Sequence, residues 1–279
     1  MPKKSGAWIR QIPSRVWCLT MPLSSGNREA GSMGSSVVFF RPVVDSRDIT
    51  AVQYQFRQLL KKSDICRVFR RGDFVPIKMH FGEKGNTGYV RAPVVKSLVD
   101  RLKSFGAKPF VTDTNVLYPG ARTNAVDHLS LAEEHGFSAA ALGCPVLIAD
   151  GLFGENAQEV PLSLKHFQSA SIARPFTGLE SLASIAHVTG HVLTGFAATL
   201  KNLGMGMASR AGKYRQHAGI APQIIAARCT RCGRCLQICP AAAIREQEDA
   251  VRIDTARCAG CAACVVACGA AAVRLDFSA

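Results

Sequence analysis

The sequence predicts an α/β chain: a parallel-type sheet domain over residues 37–220, followed by a small cysteine-rich α+β domain over 221–279. Three observations carry this. Strand-like and helix-like runs alternate between residues 74 and 151, as βαβ units do. Eight of the 11 cysteines crowd into residues 229–268. With 279 residues, 48% of them hydrophobic and 19% charged, the chain is long enough for one large core and one small one.

Residues 1–36 show no periodicity and end in a Ser- and Gly-rich stretch, so they read as a disordered or non-native N-terminal extension. The working chain is expected to start near Met33, with a transit peptide as the alternative. SSVVFFRPV follows as the first strand-like run. FVPIKMHF (74–81) combines β-branched and aromatic residues and reads as a strand. After the Gly-rich loop GEKGNTGYVR, Pro93 opens a helix in which Val94, Val95, Leu98, Val99, Leu102 and Phe105 recur at helical spacing, and Gly106 closes it. KPFVTDTN (108–115) is the next strand, AVDHLSLAEEHG (125–136) a second helix, and CPVLIADG (144–151) a third strand. Parallel sheets bind ligands at the carboxyl ends of their strands, which is where His80, Asp113, Asn115 and Asp150 are expected. Beyond 152, EVPLSLKHF and SIARPF read as edge strands or a hairpin, and a linker around HAGIAPQI leads to the cysteines.

The formal net charge is +14. No run of Lys/Arg exceeds two residues and aromatics make up only 7%, so the basic–aromatic pattern of a nucleic-acid binder is missing. No apolar run reaches 18 residues, so no membrane span is expected. The expected partners are a redox partner protein or a small anionic substrate drawn to a basic surface. Clustered cysteines on a large chain point to metal ligation in a reducing, cytoplasmic compartment rather than to a disulfide scaffold.

CTRCGRCLQICP (229–240) and CAGCAACVVACG (258–269) repeat one spacing, Cys-x2-Cys-x2-Cys-x3-Cys. Three thiolates at x2 spacing wrap three corners of a 4Fe–4S cube, and in the bacterial pattern the fourth cysteine ligates the other cluster. One cluster then takes Cys229, Cys232, Cys235 and Cys268, and the other Cys258, Cys261, Cys264 and Cys239. Two structural zinc sites are the competing reading, disfavoured by two complete repeats. Residues 221–279 resemble a bacterial dicluster ferredoxin, although Gly269 stands where a second Pro is expected after Cys268. The resemblance implies two 4Fe–4S clusters and one-electron transfer.

In the larger domain, HVTGH (187–191) has the His spacing of a zinc-protease helix, but Val188 occupies the place of the catalytic Glu. His187 and His191, with His80 across the cleft, are the candidate catalytic residues, either delivering protons near neutrality or serving only as structural histidines. GMGMASRAGK fits neither a phosphate-loop nor a dinucleotide spacing. Its glycines beside Lys201, Arg210 and Lys213 either hold an anion or pack against the cysteine domain. GEKGNTG with Lys84 reads as an anion loop or a turn, and Cys66 and Cys144 as buried apolar groups.

IKMHFGEKGNTGYVRAPVVKSLVDRLKSFGAKPFVTDTN, YPGARTNAVDHL and TGFAATLKNLGMGMASRAGK resemble the domain-of-unknown-function family 362 (DUF362), many members of which carry the same ferredoxin module. A fainter similarity to lactate-racemase-like domains implies a cleft for a small anion. The combined expectation is an iron–sulfur redox protein relaying electrons to a substrate or partner at the α/β domain. A non-enzymatic carrier or a redox sensor, with the large domain docking partners, is the alternative.

Overall fold

The computed structural model describes residues 38–117, 120–165, 167–191, 195–217, 222–258 and 263–274. The expectation for residues 1–36 lies outside these. Four strands, β1 (Phe74–Lys78), β2 (Lys108–Asp113), β3 (Val146–Ile148) and β6 (Ala183–Ser184), form one sheet in the order β3-β2-β1-β6, with every pairing parallel. The chain is thus a mixed α/β protein built on a parallel four-stranded sheet. The other strands of this part are β4 (Ala157–Pro161) and β5 (Ser169–Ala173), which form the expected hairpin, and the short pair β7 (Thr189–His191) and β8 (Gly195–Ala197).

Between β1 and β2 runs helix α2 (Ala92–Phe105). Pro93 suits its first turn, where an N–H is dispensable. Its Val94, Val95, Leu98, Val99 and Leu102 are buried against Val75 and Ile77 of β1. Gly106, at φ 99, ends it by donating its N–H to the carbonyls of Leu102 and Lys103, a left-handed turn open to glycine at little cost. The expected start differs. Residues 38–44 add no strand to the sheet, and Val38, Phe40 and Val44 are exposed. Instead α1 (Ile49–Ser63) begins where the Asp48 side chain accepts the N–H of Ala51, and it buries Val52, Phe56, Leu59 and Leu60 on one face. Helices α3 (Ala125–Glu134), α4 (Ala139–Leu142) and α5 (Arg174–Thr177) complete this region.

Strand order reverses at β1, with β2 on one side and β6 on the other. The crevice at such a switch point is where open α/β sheets bind ligands. Here helix α6 (Thr199–Gly204) sits over it: Asn202 Nδ2 donates to the Lys78 carbonyl (2.9 Å), to Ser184 Oγ (2.8 Å) and to the Ile185 carbonyl (3.3 Å). Helix α7 (Arg210–His217) follows. Gly206 and Gly212 of GMGMASRAGK serve this packing. A Cβ on Gly206 would lie 2.1 Å from the Asn202 carbonyl oxygen and 2.7 Å from Lys78 Nζ, and one on Gly212 would lie 2.2 Å from the Ser171 carbonyl oxygen of β5. The segment therefore packs against the sheet domain itself, correcting the expectation that it packs against the cysteine-rich part. Gly206→Ala is expected to destabilise the protein by about 1–3 kcal/mol, because backbone must move to admit the methyl. Gly204→Ala, with open space around it, is the control. Urea unfolding of both variants reads the difference.

The cysteine-rich segment repeats itself. A shift of 29 residues carries α8 (Arg234–Ile238) onto α9 (Ala263–Ala267). The same shift carries Ile244 of β10 (Ile244–Gln247) onto Val273 of β12 (Val273–Arg274), and Ile224 of β9 (Gln223–Ile224) onto Ile253 of β11 (Ala250–Ile253). Strand pairing is crossed between the halves: β10 pairs with β11 with Ile244 opposite Ile253, and β12 returns to pair with β9 with Val273 opposite Ile224. The four inward side chains gather with Val251 and Leu236 in one apolar cluster that also contains Cys229, Cys235, Cys239, Cys264 and Cys268. No helix among the described residues is long and apolar enough to cross a membrane.

Candidate functional site

The carboxyl ends of β1, β2 and β3 carry a buried cluster of charges. Lys78, Asp113, Arg122, His128, Asp150 and Lys213 are each no more than 6% exposed. At the end of β1, Lys78 Nζ donates to Asp113 Oδ1 (2.8 Å), Asn202 Oδ1 (2.9 Å) and the Met79 carbonyl (2.9 Å), so all three of its protons have acceptors. At the end of β2, Asp113 Oδ2 accepts from Arg122 Nη2 (2.9 Å), and Oδ1 also accepts the N–H of Thr114 (2.9 Å). Arg122 Nε donates to His128 Nε2 (3.2 Å), while its Nη1 meets Glu83 and lies 2.7 Å from His80 Nε2.

Burial alone would raise the Asp113 pKa, but Lys78 and Arg122 pull it well below the usual carboxylate range. Burial lowers Lys78 despite its partner Asp113, and likewise lowers His128 although Asp113 opposes this. Lys213 donates to Thr114 Oγ1 (2.6 Å) and the Ala208 carbonyl (2.8 Å), and burial brings its pKa down to about 8 with Asp150 resisting. Burial pushes Asp150 up to about 6, with Lys213 resisting, and its Oδ1 accepts the N–H of Asn115 (2.9 Å). Among the described residues, Asp150 Oδ2, Asn115 Oδ1 and His128 Nδ1 are buried without a hydrogen-bond partner. Such atoms cost about 1–3 kcal/mol each unless water or a guest reaches them.

His80, Asp113, Asn115 and Asp150 therefore stand at the strand ends, as the sequence indicates. The sequence reading missed Lys78, Arg122, His128 and Asn202, and of Lys201, Arg210 and Lys213 only Lys213 is deeply buried. His80 is half-exposed at the rim, its Nδ1 accepting the N–H of Gly82 (2.8 Å). Desolvation, and then Arg122, push its pKa below the ordinary value. His187 is half-buried beside the 82–91 loop, where a Cβ on Gly88 would lie 4.0 Å from its Cε1. His191 ends β7, and its side chain lies outside what the structure describes. The HVTGH spacing thus ends in a strand, not a helix, and a strand rises about 3.3 Å per residue against 1.5 Å in a helix. The helical metal-binding pair is absent. Lys84 borders a separate surface hollow with Asp127 and Glu134. Burial raises the Cys66 and Cys144 thiols, in line with inert core groups.

In the repeated segment, Cys229, Cys232, Cys235 and Cys268 line one cavity, walled by Ile224, Val251 and Val273. The fourth of these cysteines comes from the other half of the duplication. Two amides point at sulfur in equivalent places: Ala243 N–H to Cys239 Sγ (3.3 Å) and Ala272 N–H to Cys268 Sγ (3.2 Å). Just before each, Ala242 (φ 46) and Ala271 (φ 48) are left-handed, which turns the amide toward the thiol. Cys261 lies outside the described residues. Among those described, no three His, Cys, Asp or Glu side chains close on a single metal ion.

The chain matches the family model described as Domain of unknown function (DUF362) over residues 75–276, a span that takes in both the parallel sheet and the cysteine repeats. No curated protein and no solved structure matches it.

Proposed function

This chain belongs to the DUF362 family, and we propose that it is an iron–sulfur redox protein of the reducing cytoplasmic compartment. Its C-terminal segment is read as a dicluster ferredoxin-like domain that serves a substrate or partner at the strand ends. The observation that carries this is the cavity shared by Cys229, Cys232, Cys235 and Cys268. The residues fit the group: four soft donors, an apolar wall, and backbone amides aimed at the sulfurs, the features that hold and tune an iron–sulfur centre. Cys258, Cys261, Cys264 and Cys239 form the second set by the same repeat. When bound, the two 4Fe–4S clusters supply one-electron transfer at low potential.

The remainder of the site belongs to the large domain. Its strand-end cluster presents Lys78, Arg122 and Lys213 against Asp113, Asp150 and Glu83, with His80 and His187 near the outer loop. That surrounding suits a small anionic substrate held by fixed cations, with His187 to move a proton. A second reading draws on Lys78 and Asp113, whose hydrogen bonds are met inside the protein. On that reading the sheet domain only docks partners, and the protein is an electron carrier or a redox sensor.

Anaerobically purified protein is expected to be brown, to contain about eight iron and eight sulfide per chain as two 4Fe–4S clusters require, and to give an EPR signal on reduction. Colourless protein rich in zinc ends the proposal. His187→Ala separates the two readings: an enzyme loses turnover and keeps its iron, whereas a carrier keeps its electron transfer and its iron.

A further inference from the structure

The cations of the cysteine-rich segment are of one kind. Between residues 222 and 274 there are seven arginines and no lysine, and Arg228, Arg231, Arg234, Arg245, Arg252, Arg257 and Arg274 are all exposed. Two of them border the cavity of Cys229, Cys232, Cys235 and Cys268, namely Arg231 and Arg234. They flank Cys232, the one described cysteine of the segment that is exposed. The guanidinium of Arg234 rests against Gly269, 3.6 Å from where a Cβ there would be, so the turn that lacks the expected proline lies beside this cation. Arg231 meets Asp249 at 3.2 Å, a pair in which the carboxylate is fully exposed. Exposed pairs of this kind contribute little and exchange readily for another carboxylate.

Arginine presents a planar fork that binds carboxylates in a bidentate manner, and fixed surface cations steer an oppositely charged partner into place. Nucleic acid is the other polyanion to weigh. Residues 222–274 contain no Phe, Tyr, Trp or His, so they offer no platform on which bases could stack. Glu246, Glu248, Asp249 and Asp254 also interrupt the positive surface.

Resting on the iron–sulfur reading above, we infer that the exposed Cys232 edge, flanked by Arg231 and Arg234, is the docking face for an acidic one-electron carrier protein. One electron crosses this edge. The flavin or iron–sulfur centre of the carrier is oxidised by one electron as this chain is reduced by one, and no bond forms or breaks.

The test uses the full chain prepared anaerobically, with a flavodoxin as the acidic probe and a basic cytochrome c as its counterpart. Binding is measured by calorimetry against salt concentration, and iron content is counted separately. Wild-type chain is expected to bind the flavodoxin more tightly than the cytochrome, with affinity falling as salt screens the contact. The variant R231Q/R234Q should bind about tenfold more weakly at low salt, show a flatter salt dependence and keep its iron. If that variant fails to fold, R228Q/R231Q takes its place and should also weaken binding. Equal affinity in variant and wild type, a preference for the cytochrome, or tighter binding of single-stranded DNA that the variant loses would each overturn the inference. Absence of iron in the wild type would instead overturn the reading on which it rests.

Discussion

Replacing Asp113 by asparagine is expected to destabilise the protein by about 3–5 kcal/mol, the cost of leaving buried positive charges uncompensated. Asp113 is 2% exposed and faces both Lys78 at 2.8 Å and Arg122 at 2.9 Å. The asparagine keeps the shape and removes the charge, so two buried cations are left without their shared anion. Chemical unfolding at neutral pH measures the loss, with Asp249→Asn, half of an exposed pair, as a control that leaves stability unchanged. The pH dependence has a definite sign. The Asp113 pKa is depressed in the folded protein by Lys78 and Arg122, against the pull of burial. Its stabilisation is therefore present above the unfolded carboxyl pKa of about 3.9 and fades as pH falls from there toward the folded value. Wild type and variant are expected to start converging in stability only below about pH 4 and to meet as pH nears the folded value.

Serine replacements in pairs are expected to divide the iron in a pattern that only crossed ligation produces. Under crossing, Cys229 and Cys268 serve one cluster, so Cys229→Ser with Cys268→Ser should leave about half the iron, no less than either change alone. Cys229→Ser with Cys239→Ser strikes both clusters and should leave almost none. The reverse pattern would assign each cluster to its own half of the repeat. The shared cavity of Cys229, Cys232, Cys235 and Cys268 and the crossed pairing of β10 with β11 and β9 with β12 both support the first outcome.

Sequence reading succeeded where a local pattern carries the structure. The apolar runs at 74–81 and 108–115 became β1 and β2, the Pro93-to-Gly106 periodicity became α2, and the tail repeat reappeared as elements 29 residues apart. It failed in two different ways. The apolar positions 52, 56, 59 and 60 of α1 carry a helical period that is legible in the sequence. The carboxylates Asp113 and Asp150 were legible as strand ends, but their buried cationic partners were not. Lys78 meets Asn202 across 124 residues of sequence, and nothing adjacent to Lys78, Arg122 or Lys213 distinguishes them from surface cations. The HVTGH histidines show the converse, since i and i+4 mark one face only in a helix.

Asn202 lies in the crevice between β1 and β6 with hydrogen bonds to Lys78, Ser184 and Ile185. The chain thus supplies an intramolecular competitor for its own switch point. A visitor entering there must displace that amide first, so its apparent affinity is its intrinsic affinity scaled by the fraction of molecules in which the amide has swung away.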